Sequence, residues 1–324
     1  MIISKTPLRI SFCGGGTDIR DYYRIGGGAV VSAAIDKYIY CIVKRRFDNS
    51  IRVSYSKTEI VDNINKIEHP LIREGLRMMG IKDRIEATFM ADIHSRGTGL
   101  GSSSSFTVGL LNAFHTFNGR HKSAETLSNE ACKVEIGVLK EPIGKQDQYV
   151  AAFGGINLIE FNPDETVFVN PIIFSKNTER ELQGNLLLFY TGLVRKSRDI
   201  LKEQKGNIAN KVEILDKMKA LAYGTRDCLI SNDLNKFGDL LNKNWKLKKQ
   251  LAGEITNDVI DKLYEKGIRA GATGGKILGA GGGGFLLLYC EEKYKKRVRK
   301  ALSNLRELSF RFEPQGSRIA FIQE

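Results

Sequence analysis

Three glycine-rich runs constrain this chain more than any other feature: Gly14-Gly15-Gly16, Gly97-Thr98-Gly99-Leu100-Gly101, and the long stretch from Gly271 to Gly284. Glycine loses more conformational freedom on ordering than any other residue. A fold that orders three such runs must gain something from each. The gain is a backbone conformation closed to other residues, a close approach of loop to loop, or a close approach of loop to ligand. Each run adjoins a strand-like segment, which places the three turns at sheet ends, where binding sites are commonly built.

Strand-like patterns fall at residues 2–3, 8–12, 29–47, 51–55, 84–91, 156–161, 186–190, 285–290, 308–312 and 318–322. The third of these is long enough to require a turn. Helical periodicity covers 71–79, the segment from Ser102 to Asn118, and 123–139. It continues in a short helix closed by Gly154, in long patterns between 197 and 251, and at 258–266 and 292–305. Strands and helices mix without strict alternation, which predicts an α+β fold. The 324 residues suit two domains. The polar stretch 162–181, with Pro163 and Pro171, divides residues 1–170 from 171–324.

Composition narrows the function classes. The chain is 42% hydrophobic, enough for a packed core, so a mainly disordered chain is excluded. No run of apolar residues is long enough to span a membrane, and the N-terminus lacks the pattern of a secretory signal. The five cysteines are widely spaced, odd in number and free of CxxC pairs. That argues against a disulfide framework or a zinc site and suits a reducing cytoplasm. A net charge of +13 favours an anionic partner. Lys and Arg are spread along the chain without an aromatic–basic motif, so a phosphorylated small molecule is expected in preference to nucleic acid.

The second glycine run continues into Ser102-Ser103-Ser104-Ser105 at a predicted strand-to-helix junction. A helix start directs unpaired N–H groups and its positive dipole end at an anion. Two other phosphate motifs fail. Gly275-Lys276 is followed by Ile277, where a Walker A loop needs Ser or Thr. The Gly279-to-Gly284 string precedes a strand, where a dinucleotide fingerprint opens a helix. After the first run, Thr17 and Asp18 fall in a turn where the carboxylate could accept from sugar hydroxyls, or simply close an Asx turn. Gly144-Lys145-Gln146-Asp147-Gln148-Tyr149 sets a carboxylate between glycine turns.

Taken together, these four segments resemble the GHMP small-molecule kinases, the superfamily of galactokinase, homoserine kinase and mevalonate kinase. Pro7, Arg9, Gly14, Thr17 and Asp18 fall on the first motif, Gly97 through Ser103 on the second, and the cluster ending at Gly284 on the third. Ser95 stands where the family usually has proline. Within the superfamily, the runs at 14–18, 144–149 and 274–285 are most similar to those of D-glycero-D-manno-heptose 7-phosphate kinases, with fucokinases next. The resemblance implies an N-terminal half like domain 2 of ribosomal protein S5 and a ferredoxin-like C-terminal half. It implies ATP and Mg²⁺, with transfer of a phosphoryl group to the C1 hydroxyl of a heptose 7-phosphate for surface polysaccharide. Kinases of an unphosphorylated sugar, such as fucose or galactose, are the alternative.

The resemblance also implies roles. Gly97, Gly99, Leu100, Gly101, Ser102, Ser103 and Ser104 would hold ATP, and Ser103 or Ser102 with Glu135 would ligate Mg²⁺. Asp147 is the expected catalytic carboxylate, with Arg9 beside it. Gly15, Gly16, Thr17, Asp18, Lys145, Gly282 and Gly283 are expected on the substrate side. For a sugar phosphate, Arg195, Lys196 and Arg198, or Lys248 and Lys249 near Trp245, are the candidate cations. The oligomeric state is left open.

Overall fold

The computed structural model describes residues 1–93, 97–194 and 197–323. Its first half opens with β1 (Ile2–Cys13), α1 (Arg20–Gly26) and β2 (Gly28–Arg45). It continues through β3 (Ile51–Ser54), β4 (Thr58–Val61), α2 (Pro70–Met79), β5 (Ile85–Ala91), α3 (Ser102–Phe117), α4 (Ala124–Cys132), α5 (Gln146–Phe153), β6 (Ile156–Phe161) and β7 (Val167–Pro171). The second half holds α6 (Lys176–Asn185), β8 (Leu186–Tyr190), α7 (Ser197–Gly206), α8 (Val212–Ile230), α9 (Leu234–Lys248) and α10 (Asp258–Arg269). It closes with β9 (Gly274–Ile277), β10 (Phe285–Tyr289), α11 (Glu292–Ala301), β11 (Arg306–Glu307) and β12 (Arg318–Ile322).

Eight strands form one sheet in the order β12-β1-β2-β5-β3-β4, with β6 on the free stretch of β2 and β7 beyond it. The second sheet is antiparallel, in the order β11-β8-β10-β9. The α+β expectation holds. Chain order alone does not sort the elements, because residues 318–322, counted with the second half, pair with β1 at the edge of the first sheet. Helices α8 and α9 lie between the sheets. Their Ala222, Leu229, Phe237 and Leu241 share one core with Phe12 and Val31 of the first sheet and Leu188 and Leu287 of the second.

Five local expectations are corrected. Residues 2–3 and 8–12 belong to one strand, and β2 runs through without a turn. The pairing partner instead jumps from Tyr38 at Pro7 to Ile35 at Leu8, so Asp36 and Lys37 bulge out of the ladder. Residues 167–171 of the polar linker form β7. Residues 274–277, taken for part of a turn, form β9, and glycine is needed there for packing: a Cβ on Gly274 would lie 2.0 Å from the Gly238 carbonyl oxygen of α9. Residues 308–312 are not a strand; Phe312 makes only an isolated bridge to Ile35.

Candidate active site

The second glycine run enters α3 through residues that backtrack sharply. Gly97, Gly99 and Gly101 sit at φ of 67°, 75° and 74°, a left-handed alternation that L side chains resist. Leu100 between them is fully buried, so its side chain anchors the loop in the core and leaves only backbone at the surface. Gly101 caps α3 without a side-chain hydrogen bond. The first-turn N–H groups of Ser102, Ser103 and Ser104 therefore have no capping side chain and are free for an anion. The serine hydroxyls diverge: that of Ser102 lies 3.5 Å from the Thr98 hydroxyl, while that of Ser103 donates to Glu135 Oε1 at 2.8 Å.

The third glycine run packs against the second. A Cβ on Gly99 would lie 2.3 Å from the Leu278 carbonyl oxygen, one on Gly279 would lie 2.6 Å from Gly99 Cα, and one on Gly284 would lie 2.4 Å from the Thr98 oxygen. Close approach of loop to loop is thus one use of this run. Gly282 and Gly283 are spent on the same kind of packing. The Gly282 N–H donates to Ile255 O, and a Cβ on Gly283 would meet Leu193 O at 2.3 Å.

Below this contact lies a small polar cavity of about 70 Å³ between the halves. Arg9, Gly15, Gly16, Asp18, Gln146 and Asp147 face it from the first half, and Gln204, Lys248, Gly279 and Ala280 from the second. Arg9 is nearly fully buried at 4% exposure. Its guanidinium makes a bidentate pair with Asp147, Nε to Oδ1 at 2.7 Å and Nη2 to Oδ2 at 2.6 Å, and Nη1 donates to the Gly99 carbonyl. One side chain thus fixes both the carboxylate and the glycine loop. Asp18 is also buried, and its carboxylate accepts from the N–H groups of Gly16 at 2.8 Å and Gln146 at 3.2 Å. Burial raises its pKa above the ordinary carboxylate value.

Not every expected substrate residue reaches the cavity. Thr17 is buried, its hydroxyl donating to Ala29 O and accepting from Ala29 N–H, so it shapes the turn. Lys145 turns away to Glu165 at 2.7 Å and lies over the Tyr23 ring. Lys249 pairs with Asp261 and Arg198 with Glu141. Arg195 and Lys196 lie outside the described residues. Gln146 stands in the 144–149 segment singled out in the sequence, whereas Gln204 carries no sequence signal, because nothing local distinguishes it from a solvated amide.

Comparison with known proteins decides the family. Residues 69–155 match the GHMP kinases N terminal domain and residues 225–307 the GHMP kinases C terminal model. The chain is 30% identical to D-glycero-alpha-D-manno-heptose 7-phosphate kinase of Campylobacter jejuni, over 93% of each chain. The chain belongs to the GHMP kinases. It is also similar to a Pyrococcus furiosus galactokinase, 26% identical over 96% of this chain and 94% of the relative. A crystal structure of a D-glycero-D-manno-heptose 1-phosphate kinase from Bacteroides thetaiotaomicron superposes with a TM-score of 0.84 at 27% identity, covering all of both chains. This GHMP kinase is therefore a sugar kinase, an ATP-dependent phosphotransferase acting on a hydroxyl.

Two further features of the kinase flank its glycine loop. Glu135 sits on a π-helical segment, Lys133–Val138, that extends α4. It is 1% exposed, accepts from Ser103 and from Gln148 Nε2 at 2.6 Å, and burial pushes its pKa up to about 7. On the other side, Ser102 and Ser103 border a pocket of about 540 Å³ walled by Tyr55, His69, Phe89 and Phe106. His69 stacks on Phe106 at 5.0 Å between ring centres, and burial lowers its pKa, which keeps the ring neutral at pH 7. No described helix of the kinase is long and apolar enough to cross a membrane.

Proposed function

We propose that this kinase phosphorylates the C1 hydroxyl of D-glycero-D-manno-heptose 7-phosphate to the 1,7-bisphosphate, on the way to nucleotide-activated heptose. In this reading ATP lays its phosphates on loop 97–103 and its base in the aromatic pocket, where stacking on uncharged rings contributes about 1–3 kcal/mol. The acceptor hydroxyl enters the small cavity. Residues 1–170 bind the nucleotide, residues 171–324 complete the cleft, and strand β12 returns to the first sheet. A cytoplasmic setting agrees with five cysteines left as free, buried thiols.

One observation carries the chemistry: Arg9 holds Asp147 bidentately while tying the same guanidinium to Gly99. The carboxylate is thereby aimed at a fixed point relative to the phosphate loop. Asp147 accepts the acceptor's proton as the new P–O bond forms. Arg9 keeps the carboxylate oriented, and the closed loop contact limits water. Asp18, in the lining of the same cavity, accepts from sugar hydroxyls.

The residues at the loop suit Mg²⁺. One buried carboxylate and one hydroxyl, Glu135 and Ser103, stand beside an anion-binding helix start, and among the described residues no cluster of three or more acidic, His or Cys ligands exists. That sparse set is what Mg²⁺ takes when phosphate oxygens and water supply the rest. When bound there it would neutralise phosphate charge.

A specific observation also favours the unphosphorylated-sugar reading: the cavity lining carries Arg9 and Lys248 against Asp18 and Asp147, with no surplus cation for a second phosphate among the described residues. A coupled ADP-release screen over heptose 7-phosphate, fucose, galactose and hexose 6-phosphates separates the two. The heptose reading predicts turnover with the phosphorylated acceptor. Turnover confined to neutral sugars would replace it.

A further inference from the structure

We propose that Lys248 is a catalytic cation of the transfer step, contacting the phosphoryl group as it passes from ATP to the acceptor oxygen. The proposal rests on the sugar-kinase reading above and adds a residue from the second half to its chemistry.

Lys248 ends α9, and that end of the helix is docked on the first glycine turn: the Gly14 N–H donates to Asn244 Oδ1 at 3.1 Å, and Trp245 is fully buried. The Lys248 side chain is 5% exposed, and its ammonium donates to the Gly279 carbonyl. That uses one of three N–H donors. Among the described residues it has no carboxylate partner. Asp147 is taken by Arg9, and Asp18 by two backbone N–H groups. Burying an unpaired cation is costly, and the cost falls when an anion occupies the space beside it.

Position identifies that anion. Gly279 packs directly on Gly99, and Arg9 donates to the Gly99 carbonyl. Lys248 and Arg9 therefore flank one backbone contact from opposite halves, at the place where the phosphate loop meets the acceptor cavity.

In the transfer, the acceptor oxygen bonds to the γ-phosphorus as the bond to the β–γ bridging oxygen breaks. The electron pair leaves with ADP and the hydroxyl proton goes to Asp147. Negative charge spreads over the equatorial oxygens, where a fixed cation in a water-poor site is effective. The charged groups facing Lys248 are Arg9 of β1, Asp18 of the turn, Asp147 of α5 and, deeper, Lys276 of β9. Burial and Arg9 lower the Lys248 pKa to about 8, so the ammonium persists at pH 7 and is lost above pH 8.

The test compares wild type, Lys248→Met and Lys248→Arg in steady-state kinetics on whichever sugar the wild type turns over, with ATP affinity from calorimetry. The expected result for Lys248→Met is a kcat lower by about 100- to 1000-fold, with the acceptor KM and ATP affinity held within about threefold. Lys248→Arg restores part of kcat and shifts the alkaline limb of the kcat/KM profile, which reports the free enzyme and lies near 8 in the wild type, beyond pH 10. Lys248→Met should fold, since it removes a buried charge; if it does not, the Lys248→Arg pH profile decides. Unchanged kcat, or a loss confined to the KM of a phosphorylated acceptor, would overturn the proposal while leaving the sugar-kinase reading intact. A wild type that releases no ADP with any sugar would overturn both.

Discussion

Two glycines in the same backbone conformation allow the loop contact to be weighed by itself. Gly99 has φ +75° and Gly119 φ +69°, so alanine at either position carries the same left-handed penalty, about 1–2 kcal/mol. Their surroundings differ. At Gly119 an added Cβ meets nothing within 4 Å. At Gly99 it would lie 2.3 Å from Leu278 O and 2.7 Å from Leu278 C, backbone atoms that move only if the two halves separate. Overpacking of this kind costs a further ~1–3 kcal/mol. Gly99→Ala should thus lose about 2–5 kcal/mol and Gly119→Ala about 1–2 kcal/mol, read as urea midpoints with matched slopes. Gly99→Ala should also lower kcat at least tenfold, as estimated for a displaced reacting group, because Arg9 anchors Asp147 to the Gly99 carbonyl. Equal stability losses in the two variants, within about 0.5 kcal/mol, would show that the contact between the runs contributes nothing.

Asp147→Asn keeps the shape of the Arg9 contact but cannot take a proton. It should lower turnover by about 100- to 10,000-fold while ATP affinity measured by calorimetry stays within about twofold; near-normal turnover would remove Asp147 from its role. Glu135 is raised from 4.5 to about 7 by burial, so between those pH values the folded protein holds a proton that the unfolded chain has lost. Stability therefore falls as pH rises through that window, and Glu135→Gln should remove the slope. At pH 8, without divalent ions, the variant should be the more stable by on the order of 3 kcal/mol; parallel unfolding curves at pH 5 and pH 8 would contradict this. Ser103→Ala should raise the Mg²⁺ concentration for half-maximal rate severalfold, and an unchanged requirement would count against ligation by that hydroxyl.

What was legible in the sequence was local. The helix start at Ser102, the strands at 156–161 and 186–190, and the glycine-bounded short helix carrying Asp147 announce themselves through period, caps and turn residues a few positions apart. The pairings that make the site do not. Arg9 and Asp147 are 138 residues apart, and which acid an arginine meets is set by sheet order. Family likeness supplied that pair, and likeness alone put Lys145, Gly282 and Gly283 beside the substrate. Lys145 instead answers Glu165 of the hairpin between β6 and β7, a strand pair hidden in a segment that reads as linker. β9 was missed for the opposite reason: its glycines, which propensity assigns to a turn, are there because α9 and β10 leave no room for a Cβ.

The glycine runs therefore serve two purposes that composition cannot separate. Those at 97–101 shape a surface for an anion, with left-handed turns ahead of an uncapped helix. Those at 279–284 let a second sheet lie against that loop at backbone distance, and Gly279 also lines the acceptor cavity. That closeness brings Lys248 and Gln204 of the second half within one small cavity with Arg9 and Asp147 of the first. Loss of a glycine in the third run should consequently act on catalysis through the separation of the halves, and it should do so without any change in the residues that line the nucleotide pocket.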